Sequence, residues 1–230
     1  MGTQTDSVDY SAPATIEERA SIKAWHRFYT RHIAPRFRGQ RMALFSTLFP
    51  VEQTTSIVDL GGAPGTWALI AAEPRVTMIN IWGRSFTEGR FTYRIGDACQ
   101  LDLPDDSFDI AFSNSVIEHV GDYARQEAFA REVRRLAPRY FVQTPYRYFP
   151  VEPHFMCLGI QFLPKPLFKA LLRRFSLWGL TVKPSPDEIA SSVDEIRLLT
   201  VREMRALFPD ARIVKERIGP FTKSLIAVRT

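Results

Sequence analysis

Cysteine is scarce: only Cys99 and Cys157 occur in 230 residues. Two distant cysteines make neither a disulfide scaffold nor a metal-ligand spacing, so a reducing, cytoplasmic setting is expected. No apolar run reaches the roughly 20 residues that cross a bilayer. Met1-Gly-Thr-Gln has neither the basic nor the apolar region of a secretory leader. No glycine loop ends in Gly-Lys-Ser/Thr, which argues against a triphosphate-binding loop. No internal repeat stands out. Nor does one sign of charge dominate. The net +5 comes from 30 basic residues set against 25 acidic ones, and the two alternate along most of the chain, so charge selects no partner.

What is present can bury one substantial core, since 45% of the residues are hydrophobic. Residues 1–14, rich in Thr, Ser and Asp, are expected to be flexible. Residues 15–49 read as a helical cap. Thr15 and Glu18 form a capping box, and Trp25, Phe28, Tyr29, Ile33 and Phe37 continue a helical spacing that Pro35 ends or kinks. A second helix over 38–49 carries Met42, Leu44, Phe45 and Leu48. The cap either covers a sheet edge or helps to close a site.

Residues 50–230 alternate strand and helix signals. Strands are predicted at 56–60, 75–81, 91–95, 108–113 and 140–144, with helices at 66–73 and 123–136 and a short helix or irregular segment after the second strand. Such alternation specifies a largely parallel sheet covered on both faces. Residues 145–198 interrupt the rhythm with prolines and aromatics and read as a substrate-side insertion or lid, helical near 166–175. A helix over 199–208 follows, capped by Thr200 and Glu203. Strands at 211–217 and 222–228, joined by the short Gly219-Pro220 turn, must be antiparallel. The expectation is α/β: a Rossmann-like, seven-stranded, mostly parallel sheet with a C-terminal antiparallel hairpin and an N-terminal helical cap.

Three strand ends carry the chemistry. Ile57-Val-Asp-Leu-Gly-Gly-Ala-Pro-Gly-Thr66 runs from a strand through a glycine turn into a helix start. Gly61, Gly62 and Gly65 allow a close backbone approach, and Ala63 sits among them. Pro64 removes a donor, which suits a cofactor with no phosphate at that point. Asn80, at the second strand end, can bond ribose hydroxyls through its oxygen and its amide. Ile81 or Trp82 can pack on an adenine, although Trp82 reads equally as a core or surface aromatic. Asp97, past the third strand, reads as a turn cap or as an acceptor for an adenine amino group, with Ala98 leaving room beside it. Asp59 either holds the glycine loop or accepts from a cofactor ammonium.

Together these segments resemble the class I S-adenosylmethionine-dependent methyltransferases, of the type-11-like group, over roughly residues 50–230. The resemblance rests on Val58-Asp-Leu-Gly-Gly-Ala-Pro-Gly-Thr66, on Gly96-Asp97-Ala98, on Leu103-Pro-Asp-Asp-Ser-Phe-Asp-Ile-Ala-Phe-Ser113 and on Val116-Ile-Glu-His-Val120. It departs from the common pattern at Ala63 and at Asn80, where the group carries an acidic ribose ligand. It implies S-adenosylmethionine as cofactor and S-adenosylhomocysteine as product. It also implies Asp59 and Gly61 near the methionine moiety, Asn80 at the ribose, Asp97 at the adenine, and Ser113, Asn114 and Ser115 on the rim facing the transferable methyl.

Methyl transfer from a sulfonium is a direct displacement that alignment alone can greatly accelerate. His119 can serve as base or acceptor contact, or as a backbone-bonded turn residue. Thr144-Pro-Tyr-Arg-Tyr-Phe-Pro-Val-Glu-Pro-His154 offers Tyr146, Tyr148, Glu152 and His154 as an acceptor wall, with His154 a second candidate for proton transfer. Glu152 and His154 alone are too few to hold a metal, so no metal is expected. Lys165 to Phe175 would place Phe168, Leu171, Leu172 and Phe175 on one face, with Lys169 and Arg173 elsewhere. That pattern suits a lid, or a peripheral contact with the inner face of a membrane. The expected activity is methyl transfer to a small-molecule, glycan-related or lipid-linked acceptor. An RNA methyltransferase and a non-catalytic cofactor-binding or scaffold protein are the alternatives. A nucleic-acid partner is disfavoured because no basic-aromatic stripe is apparent. The oligomeric state is left open.

Overall fold

Ser56–Leu60 (β1) pairs in parallel with Arg75–Asn80 (β2) on one side and Ile110–Asn114 (β5) on the other. A central parallel strand is covered on both faces, which is why Ile57, Val58 and Leu60 are all buried. The computed structural model describes residues 34–230. The flexible segment expected over 1–14, the Thr15–Glu18 box and the apolar positions Trp25 to Ile33 lie outside those residues.

The remaining strands of the sheet are Phe86–Glu88 (β3), Phe91–Ile95 (β4), Arg139–Pro145 (β6), Arg212–Ile218 (β9) and Phe221–Arg229 (β10). The eight strands lie in the order β3-β4-β2-β1-β5-β6-β10-β9. The five from β4 to β6 run parallel, and β10 is antiparallel to both β6 and β9. Seven of the eight are the expected strands. The eighth, β3, falls in the segment read as a short helix or irregular stretch. It turns back at Gly89 (φ +57°) to pair antiparallel with β4, and Phe86 stacks on Tyr93 at 4.2 Å.

Helix α1 (Ala34–Leu48) starts earlier than the second cap helix was expected to. Pro35 lies near the start of its described span, where a missing N–H costs little; the preceding helix that it was expected to end or kink lies outside the described residues. Met42, Phe45 and Phe49 pack on one sheet face with Ile57, Phe112 and Phe141. The Phe45 ring stands edge-on to Trp67, Phe112 and Phe141 at 5.8, 5.4 and 5.7 Å. Each such buried side chain contributes about 1.5–3 kcal/mol. The opposite face carries Val58 and Leu60 against helix α3 (Tyr123–Leu136) and, further along the chain, helix α7 (Val201–Leu207), through Phe129, Val133, Met204 and Leu207.

The helix expected over 66–73 is a single turn, α2 (Pro64–Trp67). Arg90 takes the Trp67 carbonyl at 3.2 Å, Glu73 adopts a left-handed φ of +50°, and Pro74 offers no N–H. Glu73 and Pro74 close the C-terminal side of the expected helix, and a run this short gains little from propagation.

The insertion has its own small core. A two-stranded hairpin, β7 (Val151–Glu152) with β8 (Cys157–Leu158), joins helices α4 (Lys165–Phe175), α5 (Leu177–Val182) and α6 (Pro186–Glu195). Phe155, Ile160, Phe168, Leu172, Trp178, Ile189 and Val193 pack among these elements. Phe168 and Leu172 point inward as expected, but Phe175 is 66% exposed. Lys165 and Lys169 both pair with Asp194 on α6, which ties α4 to its neighbour. No helix among the described residues is long and apolar enough to cross a membrane.

Candidate active site

A cleft of about 380 Å³ opens at the carboxyl ends of β1, β2 and β4, within the range of small-ligand sites. Gly61, Asn80, Ile81, Trp82, Asp97 and Ala98 line it from the three strand ends. Ser115, Val116 and His119 line it from the β5 side, and Arg125 and Glu195 complete it. Three turns separated in sequence thus converge on one cavity.

The glycine turn is shaped from beneath. Gly61 has φ +75°, and a Cβ there would meet Val116 Cγ2 at 2.4 Å. A Cβ on Gly62 would lie 2.1 Å from the Asp59 carboxylate. Asp59 is buried on the same face as Ile57 and accepts from Trp67 Nε1 at 2.8 Å. Burial pushes its carboxyl up to about 7, against the opposing effect of the indole bond. Asp59 supports the loop and does not line the cleft. Gly62, Ala63 and Gly65 do not line the cleft, and a Cβ on Gly65 would meet open space.

Asn80 Nδ2 donates to the Gly62 carbonyl at 3.1 Å, coupling the first two turns. Among the described residues no donor bonds its side-chain oxygen, which leaves that oxygen open to a ribose diol. Asp97 accepts from the Cys99 N–H at 2.9 Å and from Arg125 Nη2 at 2.9 and 2.7 Å. Burial opposes ionisation, but the Cys99 amide and the Arg125 guanidinium outweigh it and hold the carboxyl below its usual range. A carboxylate has about four lone-pair sites, so Asp97 keeps acceptor capacity for an exocyclic amine. Ile81 is 69% exposed and Trp82 47%, both apolar surfaces at the mouth. These glycines, open acceptors and exposed apolar side chains fit an adenosyl ligand.

Two rim expectations change. Ser113 is buried and donates to the Leu60 carbonyl at 3.0 Å, tying β5 to β1. Asn114 Oδ1 accepts from Arg41 Nη1 of α1 at 2.8 Å. Neither lines the cleft. Strand alternation explains Ser113, because its Cβ points into the sheet layer. Ser115 does line the cleft. It adopts φ +60° and donates to Gln143 Oε1 at 2.9 Å, a strained conformation at the strand exit.

His119 ends a short 3₁₀ turn, Ile117–His119, and is the cleft-lining histidine. That turn is fixed by Gln126 Nε2, which donates to the Ile117 carbonyl at 3.0 Å, and by the Arg197 N–H, which donates to the Glu118 carbonyl at 2.8 Å. His154 stands behind, its ring edge-on to His119 at 4.9 Å and its Nδ1 at 2.7 Å from Glu152 Oε1. Burial disfavours the charged ring, but Glu152, Glu118 and Glu195 together raise its affinity for a proton. Glu152 lines a second cavity, of about 200 Å³, beneath the insertion with Arg147, Phe155 and Phe168. Tyr146 and Tyr148 contact each other edge-on at 5.5 Å but do not line the cofactor cleft. Arg125 and Glu195 were missed. Arg125 is the third residue of α3, within its first turn, and Glu195 ends a helix in the insertion. Neither has a local signal.

Comparison with known proteins agrees with this geometry. Residues 56–139 match the family described as Methyltransferase domain. The comparison with curated proteins gives no match. Among solved structures, the YcgJ protein from Bacillus subtilis is 17% identical at a TM-score of 0.50, covering 79% of this chain and 71% of that one. The Haemonchus contortus phosphoethanolamine N-methyltransferase 2, in complex with S-adenosyl-L-methionine, gives 16% and 0.52 over 79% of this chain and 39% of that one. The Burkholderia thailandensis 1,6-didemethyltoxoflavin-N1-methyltransferase, with bound 1,6-didemethyltoxoflavin and S-adenosylhomocysteine, gives 14% and 0.50 over 97% and 93%. The strand order, the terminal antiparallel hairpin and the three-turn cleft define the class I methyltransferase fold. Residues 56–139 thus match a methyltransferase domain within a sheet of the class I methyltransferase fold.

Proposed function

We propose that this protein transfers a methyl group from S-adenosylmethionine to a small acceptor seated on the β5–β6 side of the cleft. The carrying observation is the convergence of Gly61, Asn80 and Asp97 on one cavity whose opposite wall contains His119. S-adenosylmethionine supplies an electrophilic methyl on a sulfonium. Asn80 orients the ribose, Asp97 accepts from the adenine amino group, and Ile81 and Trp82 shield the base from water. Gly61 brings backbone close to the methionine end, with Asp59 holding the loop from below. His119 contacts the acceptor, while Glu152 and His154 brace the wall behind it. Alignment of the acceptor is the main task of these residues, because a direct displacement needs little further chemistry.

Among acceptor classes, a lipid-linked or glycan-related molecule fits best. Phe175, Leu177 and Leu180 are exposed near Arg173, Arg174 and Lys183 at the outer end of the insertion. Such an apolar-basic edge suits an anionic lipid surface. The test uses S-adenosylmethionine labelled in the methyl group, incubated with purified protein and separated lipid, small-molecule and RNA extracts. Label in the lipid or small-molecule extract is expected. Label confined to RNA overturns the reading, and so does cofactor binding without transfer to any extract.

A further inference from the structure

Behind the cleft, the fold gathers donors from two distant segments. Glu118 and His119 come from the turn after β5, and His154 comes from the β7–β8 hairpin. One donor atom from each lies within 4.8 Å of the other two. Glu118 is 0% exposed. Its Oε2 accepts from Thr144 Oγ1 at 2.9 Å, but its Oε1 has no hydrogen-bond partner. That oxygen faces His154 Nε2 at 4.0 Å, beyond hydrogen-bond reach. His119 Nδ1 is also buried without a hydrogen bond, and Glu195 Oε1 lies 3.3 Å from it.

A buried carboxylate oxygen without a partner is costly, and such groups are normally paired or coordinate metals. The outer contacts have the form that metal sites use. Glu152 Oε1 engages His154 Nδ1 at 2.7 Å, leaving Nε2 directed at the cluster. Glu152 is itself fixed by the Phe155 N–H, which donates to Oε2 at 2.8 Å. A carboxylate behind one imidazole and a hydroxyl behind the carboxylate ligand orient both donors.

We propose that Glu118, His119 and His154 form a binding site for a divalent transition metal. Two imidazoles and one carboxylate suit zinc, cobalt or iron better than magnesium or calcium, which prefer all-oxygen shells. Donors bound at about 2.0–2.2 Å stand closer together than in this arrangement, so binding draws the cluster inward. Glu195, beside His119, lies at the cleft side, where a fourth ligand or the acceptor would complete the shell. The acceptor class selected is then one that presents a ligating oxygen or nitrogen. This selection rests on the methyl-transfer reading; the metal site itself does not.

The two-residue pattern Glu152-Pro-His154 was too sparse to suggest a metal. The missing donors lie more than thirty residues upstream and are delivered only by the pairing of β5 with β6.

Cobalt titration of chelator-treated, untagged full-length protein tests the site. One equivalent of Co²⁺ is expected to produce the visible absorption of a low-coordinate, nitrogen-ligated ion, and Zn²⁺ is expected to abolish it. Glu118→Gln and His154→Gln should each weaken binding at least tenfold, whereas the His26→Ala/His32→Ala pair should retain it. Wild-type protein without those bands overturns the proposal, with no dependence on how the variants fold. Bands that persist unchanged in both folded variants also overturn it. Cobalt binding here without methyl transfer would uphold the site and remove the reading of the cleft. Methyl transfer without cobalt binding would do the reverse.

Discussion

Asp59 connects the sheet core to the glycine turn, and its buried carboxyl has a pH signature. Its affinity for protons in the folded chain extends up to about pH 7, well above that of an exposed carboxylate. Between roughly pH 4 and 7 the unfolded chain releases this proton while the folded chain keeps it. Folding stability from this group therefore falls as pH rises through that window and levels off above it. Asp59→Asn keeps an acceptor for Trp67 Nε1 and does not titrate. Denaturant melts should show wild type losing about 4 kcal/mol relative to Asp59→Asn from pH 4 to pH 8. A constant difference across pH would contradict the assignment. Gly61→Ala combines a left-handed backbone with a Cβ driven into Val116. It should destabilise by about 1–3 kcal/mol and lower cofactor affinity, as read by melts and calorimetry. His119→Ala should lower turnover while leaving cofactor affinity within about twofold. Equal loss of both would place His119 with the cofactor.

Among the elements, α7 and the outer edge of the insertion give separable effects. Thr200 accepts from the Glu203 N–H at 3.2 Å while Glu203 accepts from the Thr200 N–H at 2.8 Å, the capping box expected from the sequence. Thr200→Ala should cost about 1 kcal/mol in a melt without changing cofactor affinity. Phe175→Glu with Leu180→Glu should abolish flotation with anionic vesicles while leaving the fold intact, since both side chains are exposed. Retained flotation would remove the lipid reading. The elements most legible in sequence are those set by local pattern. Helix α3 lies at the bounds read from the sequence, its start fixed by the Asp122 cap, and β1 lies where an apolar strand meets a glycine turn. What could not be read depends on tertiary partners. The helix after β1 is a single turn whose Trp67 carbonyl accepts from Arg90, 23 residues away. Asp97 meets Arg125 across 28 residues, and Glu195 reaches the cleft only through the packing of α6.

At the scale of the whole molecule, two layers of helix sandwich a sheet whose strand order places a crevice beside β1. In the proposed reading, cofactor residues come from the turns after β1, β2 and β4, and acceptor-side residues from the exits of β5 and β6 and from the insertion. The family match covers residues 56–139, the segment that holds the three turns, and stops before the insertion. Calorimetric titration with S-adenosylhomocysteine, compared with NAD, tests the convergence of the three turns most directly. Wild type should bind one equivalent of S-adenosylhomocysteine and no NAD, and folded Asn80→Ala and Asp97→Ala should each weaken binding about tenfold, the loss expected for one charge-assisted or paired hydrogen bond. Unchanged affinity in both folded variants, or a preference for NAD, would contradict it.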